Sequence, residues 1–188
     1  MDLWQEFRKA LGGIKMYIKL IGSLFLLGAA ASIGFMKSEE LVERVKNLQE
    51  MKRMMILLQG ELRFHRAALS EAFGNVAERV KEPFCSFLRE MGERLERREE
   101  SGFDEIWGET SAKIVVSEGM KKEDGQLLEL LKNSLGYLDL TLQTETLNLA
   151  ILQTEEMIKR AKEQQERKGK LYQTMGITVG ALLILLII

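Results

Sequence analysis

Charge and apolarity are segregated along this chain before they alternate. Leu20 to Met36 is a run of 17 residues without a charge, bracketed by Lys19 and Lys37. Leu171 to Ile188 is a second apolar run, with Met175 to Ile188 its most apolar part. Between the two runs lies a stretch that carries most of the charge, and there apolar residues recur at helical spacing. Leu41, Leu48, Met55 and Leu62 stand seven apart, flanked by Val45, Met51 and Leu58. They predict a helix from Ser38-Glu39-Glu40, which has the look of a helix start with acids in its first turn, to about His65. Arg44 breaks the second seam position, so this stripe is expected to face a core rather than a two-chain coiled coil.

Four shorter stripes follow. Leu69, Phe73, Val76 and Val80 predict a second helix with Ser70 as its cap. Pro83 opens a third, where a missing N–H costs little, with Phe84, Phe87, Leu88, Met91 and Leu95 on its stripe. Ser101-Gly102 ends it, and Phe103, Ile106, Trp107, Ile114 and Val115 form a fourth apolar set, Trp107 being the expected core anchor. After Ser117-Glu118-Gly119, Leu127, Leu128, Leu131 and Leu135 predict a fifth helix closed by Gly136. Asp139 can cap the last, whose stripe is Leu140, Leu147, Ile151, Thr154, Ile158 and Ala161. From Thr141 to Ile188 only Gly169 interrupts the pattern, which marks it as the expected hinge.

The terminal runs set the architecture. At 1.5 Å per residue, Leu20 to Met36 spans about 25 Å, enough to cross a bilayer when the flanking lysines snorkel. Ala29-Ala30-Ala31 before Ser32 also resembles a signal-peptide cleavage site, although the apolar run continues past it. Eleven basic residues (Lys37, Arg44, Lys46, Lys52, Arg53, Lys159, Arg160, Lys162, Arg167, Lys168, Lys170) flank the runs on the side of the middle, against Arg8, Lys9, Lys15 and Lys19 on the other. That bias places the middle in the cytoplasm and both termini near the opposite face. Small residues at Gly28, Ala30, Gly34, Gly176 and Gly180 mark expected helix-packing positions, and glycines merely tolerated in lipid fit as well. Met1 to Lys15 is a short amphipathic lead, with Leu3, Trp4, Phe7 and Leu11 on one face. A bilayer-surface helix, a disordered tail and a true start at Met16 all fit it.

The expected fold class is therefore all-α: a cytoplasmic helical bundle of about six helices flanked by N- and C-terminal transmembrane helices. Residues 1–15 form an extension, 16–37 the first transmembrane helix, 38–168 the helical domain and 169–188 the second transmembrane helix. One proline in 188 residues agrees with this.

Composition narrows the function. A net charge of −1 gives no bulk electrostatic case for nucleic acid. Cys85 is the single cysteine, so no internal disulfide can form; flanked by Phe84 and Phe87, it reads as a packing residue. His65, the single histidine, has no further ligands at metal-binding spacing. There is no glycine-rich phosphate loop, no Cys-x-x-Cys and no His-Glu-x-x-His. Carboxylates alternate with Lys and Arg, the pattern of local salt pairs. No active site, cofactor, metal or small-molecule substrate is expected; the protein should act by binding.

Three blocks carry a family resemblance: Lys19-Leu-Ile-Gly22 through Gly34-Phe35; Lys122-Glu-Asp-Gly-Gln-Leu-Leu-Glu-Leu-Leu-Lys-Asn-Ser-Leu-Gly136 with Asp139 and Gln143; and Lys170-Leu-Tyr172 with Gly176 and Gly180. In these the chain resembles the stage III sporulation protein AB family of endospore-forming bacteria. Met1 to Lys15 is extra to that pattern, and the family's proline near Arg66-Ala67-Ala68-Leu69 is absent, whereas Leu69-Ser-Glu-Ala-Phe73 matches. The resemblance implies a part in the channel complex between mother cell and forespore. It also implies likeness to the inner-membrane platform protein of type II secretion and type IV pilus systems, with other channel subunits and a secretion-type ATPase as partners. The partner-binding face is expected around Glu61, His65, Leu69, Glu71 and Phe73, where a polar helix end joins a family-like segment. Homo-oligomerisation stays open. Two other readings remain: a two-span helical signalling adaptor, and an exported, tail-anchored helical bundle.

Overall fold

The computed structural model describes residues 3–65, 68–97, 101–117, 120–135 and 140–187, with side chains described from residue 22 onward except at 23–24, 26–27, 65, 116–117, 140, 173 and 183–187. Among the described residues every regular element is a helix, and there is no strand. Helix α1 runs Leu3–Gly60 and passes into a π-helical turn, Glu61–His65; α2 is Leu69–Ala77, α3 Phe84–Glu96, α4 Phe103–Ser117, α5 Lys122–Leu135 and α6 Leu140–Ile187. Two compact units emerge: residues 1–43 with 163–188, and residues 44–162. Helices α1 and α6 contribute to both.

The unit formed by residues 44–162 holds the large-side-chain core. Leu48, Met55 and Leu62 of the seven-residue stripe are buried, as are Met51, Met54 and Leu58 beside them. They meet Phe73 and Val76 of α2, Phe87, Leu88 and Met91 of α3, Ile106 and Trp107 of α4, Leu127, Leu128 and Leu131 of α5, and Leu147, Ala150 and Ile151 of α6. Trp107 is fully buried, edge-on to Phe87 at 5.0 Å between ring centres and 5.6 Å from Phe103. Such edge contacts add to the large apolar area that an indole removes from water. Gly92 lets α2 and α3 close on one another: a methyl group there would lie 3.2 Å from the Ser70 carbonyl oxygen.

Several local expectations change. Ser38 does not start a helix, because α1 continues through it and buries it. No proline or turn-forming cluster interrupts Leu20 to Gly60, and Lys37 pairs with Glu40 one turn on at 2.8 Å, inside the helix. Ser70 does not cap α2. The helix is entered from Ala68, whose carbonyl accepts the Ala72 N–H at 2.9 Å, and no side chain caps it. Pro83 directly precedes α3 after a cis Glu82–Pro83 bond. The Glu82 carboxylate there accepts both the Ser86 hydroxyl (2.7 Å) and its N–H (3.2 Å). Gly169 is not a break, since α6 is continuous across it and Gly169 is buried. A methyl group on Gly169 would sit 3.3 Å from the Ser38 hydroxyl oxygen. The glycine at 169 and the small serine at 38 therefore serve a close approach of α1 and α6. The proposed end signals Gly136 and Asp139 lie outside the described residues.

Among the described residues, no helix is long and apolar enough to cross a membrane. The side chains of Leu20, Ile21, Ser23, Leu24, Leu26 and Leu27 in the first apolar run, and of residues 183–188 in the second, lie outside them.

Candidate functional site

The sharpest geometry belongs to the unit of residues 1–43 and 163–188, where α1 and α6 meet backbone to backbone. A methyl group on Gly34 would stand 2.6 Å from the Tyr172 carbonyl oxygen and 3.3 Å from the Gly176 Cα. On Gly176 it would stand 2.8 Å from the Ala30 carbonyl oxygen and 3.2 Å from the Gly34 Cα. Neither glycine can be replaced without moving a helix, so Ala30, Gly34, Tyr172 and Gly176 form one crossing. Gly180, four residues on, is buried as well. Gly28 lies away from the crossing: it is exposed, nothing approaches its Cβ position within 4 Å, and its carbonyl accepts the Ser32 hydroxyl at 2.8 Å. Around the crossing the large side chains point outward. Ile33, Phe35, Met36, Met175, Ile177, Val179 and Leu182 are all exposed. Small residues therefore line the crossing, and large apolar residues stand outside it.

The residues expected to bind a partner are distributed differently. Glu61 is buried, and its carboxylate accepts from Asn75 Nδ2 at 3.3 Å and Arg79 Nη1 at 3.4 Å, tying the π-helical turn to the region of α2. Leu69 is half-buried against the core. Phe73 is fully buried, 6.4 Å from Trp107 between ring centres, and so is a core residue. Glu71 is exposed. His65 closes the π-helical turn, and its side chain lies outside the described residues. Of the five, Glu71 presents its side chain to solvent. Nearby Phe64 is 76% exposed, with Arg63 stacked over its ring at 5.5 Å.

Sequence reasoning passed over the main polar anchor. Arg44, read as a break in the seam and as one of the flanking basic residues, grips Asp124 in a two-pronged ion pair: Nε to Oδ2 at 3.0 Å and Nη2 to Oδ1 at 2.8 Å. Glu123 adds a third contact at 3.2 Å. Asp124 is 1% exposed and also accepts the Lys121 N–H at 3.2 Å, so one carboxylate both caps α5 and ties it to α1. The hydrogen bonds that Arg44 donates to Asp124 raise the Arg44 pKa above its ordinary value; burial works against this, and the charges of Asp124 and Glu123 add to it. The guanidinium therefore stays charged at any working pH. An arginine on an apolar stripe and an acid opening a later helix was the available signal, but no spacing connects residues eighty positions apart.

A second seam joins α1 to α6. Gln59 Nε2 donates to the Thr144 carbonyl (3.1 Å) and to Asn148 Oδ1 (3.0 Å), and Lys52 pairs with Glu155 at 3.3 Å. Cys85 is half-buried, with the Arg89 guanidinium 3.3 Å from its sulfur. Among the described residues no group of His, Cys, Asp and Glu is arranged to hold a metal ion. What the site can do chemically is hold helices together.

Three comparisons with known proteins agree. The family model described as stage III sporulation protein AB matches residues 19–188. Stage III sporulation protein AB of Bacillus subtilis (strain 168) is 23% identical over 170 residues, covering 90% of this chain and 99% of that protein. A solved structure of a stage III sporulation protein AB superposes with a TM-score of 0.61 at 18% identity, covering 66% of this chain and 98% of the other. That likeness shows the shared fold.

Proposed function

The chain belongs to the stage III sporulation protein AB family, and with it to endospore formation; from that membership we propose that it is a non-enzymatic membrane platform of the channel between mother cell and forespore. In this reading the N-terminal part of α1 and the C-terminal part of α6 cross the bilayer as a pair, and residues 44–162 form a cytoplasmic docking domain. The observation that carries it is the Gly34–Gly176 crossing, a backbone-to-backbone contact with large apolar side chains turned outward. Helices in water gain more by burying those side chains than by exposing them. In lipid the preference disappears and small residues take the interface.

The docking domain acts by binding. Its carboxylates are largely engaged in holding helices, as Asp124 and Glu61 do, or in surface pairs such as Arg160–Glu156 at 3.2 Å. The expected partners are other channel subunits and a secretion-type ATPase. Affinity purification of the tagged chain from membranes of sporulating cells tests this. Recovery of a channel subunit or the ATPase is expected. Recovery of neither, together with normal spore yield after deletion of the gene, would sink the proposal.

A further inference from the structure

We propose that residues 3–11 are an amphipathic helix that lies in the surface of an anionic phospholipid bilayer, joined through Gly12-Gly13 to the first membrane span. This rests on the membrane reading above and adds a lipid-binding segment to it. Helix α1 begins at Leu3, so these residues are helical. At about 100° per residue, the positions of Leu3, Trp4, Phe7 and Leu11 fall within an arc of about 100°, and those of Gln5, Glu6, Arg8 and Lys9 fall outside it. An apolar arc this narrow on an otherwise polar helix is the pattern of a segment held at an interface.

The chemistry of the arc names the occupant. Tryptophan and phenylalanine favour the boundary between headgroups and acyl chains. Residues 1–19 carry four basic residues, Arg8, Lys9, Lys15 and Lys19, against two acids, Asp2 and Glu6. That balance complements an anionic surface. The segment also lies outside the family match, which begins at residue 19, so the shared fold does not require its apolar arc as a core element. Extended straight from the first span, the helix would carry Trp4 about 24 Å beyond Leu20, with the arc facing water. Helix α1 is continuous across Gly12-Gly13; two consecutive glycines are nonetheless the weakest point of a helix, and there the segment bends into the membrane plane when it meets lipid.

The test uses the full chain reconstituted in vesicles of equal parts phosphatidylglycerol and phosphatidylcholine, with and without bromine on the acyl chains near the headgroups. The chain has two tryptophans, and Trp107 is buried in the helical core. Bromolipid should therefore remove roughly half of the emission, the Trp4 share. Phe7→Glu should abolish that loss while the protein still floats with the vesicles, and Trp4→Phe should abolish it by removing the reporter. A chain that floats but keeps Trp4 unquenched by bromolipid and open to aqueous iodide overturns this inference alone. A chain that does not float overturns the membrane reading and this inference together.

Discussion

The two units of this protein hold helices together by opposite means. In residues 44–162, helices are kept apart by large interdigitated side chains, with Trp107 ringed by Phe73, Phe87 and Phe103, and are locked in register by a half-buried ion pair. In residues 1–43 with 163–188, side chains are removed from the contact, and Gly34 and Gly176 bring two backbones together. The first solution extracts free energy from water. The second brings backbones together instead, and leaves Ile33, Val179 and Leu182 facing outward. The difference teaches that one chain can hold its helices by large interlocked side chains in one unit and by the removal of side chains in the other.

Substitutions can break the comparison in either unit. The largest effect belongs to the core. Trp107→Ala should destabilise residues 44–162 by about 4 kcal/mol, read as a fall in the denaturant midpoint of the full chain in detergent. Asp124→Ala should cost about 3 kcal/mol by the same measurement, because it removes the two-pronged contact of a half-buried guanidinium and leaves Arg44 with the exposed Glu123 beside it. Replacing both, as Arg44→Met with Asp124→Leu, should recover most of that loss; no recovery would mean that Asp124 acts mainly as the α5 cap. Gly34→Leu should cost roughly 2 kcal/mol, but in the pairing of α1 with α6 rather than in the core. It should lower cross-linking between the two helices while the denaturant midpoint stays put. Gly92→Ala should be smallest, about 1 kcal/mol, since its methyl group needs a shift of a few tenths of an ångström from the Ser70 carbonyl. If Gly34→Leu shifted the core transition as much as Trp107→Ala does, the two units would not be distinct.

Much of the fold was written in local pattern, because helix and core stripe share one period. Leu48, Met55 and Leu62 are buried where a seven-residue spacing puts them, and Phe87, Leu88 and Met91 follow the same logic. Boundaries were less legible. Ser38-Glu39-Glu40 resembles a helix start, yet a cap signal only stabilises a start where the chain has reason to stop, and α1 has none before Gly60. Gly169 looked like a hinge because sequence shows a missing side chain but not the Ser38 hydroxyl that needs the space. The meeting of Gly34 with Gly176, while Gly28 meets nothing within 4 Å, is likewise a fact of register between helices far apart in sequence. Arg44 and Asp124 are hidden for the same reason. Phe73 and Glu71 show the reverse problem: they share a short motif, but helix geometry sends one into the core and the other into solvent.

The central claim is that the ends of α1 and α6 are a paired membrane anchor. A Ser38→Cys/Gly169→Cys pair in a Cys85→Ser background tests it most directly, since the Gly169 Cβ position lies 3.3 Å from the Ser38 hydroxyl oxygen. Membranes from sporulating cells would be oxidised, washed with alkaline carbonate and analysed for the intramolecular cross-link. The account predicts a cross-linked chain retained in the washed membranes. A chain released into the carbonate supernatant, or retained without the cross-link, would contradict it.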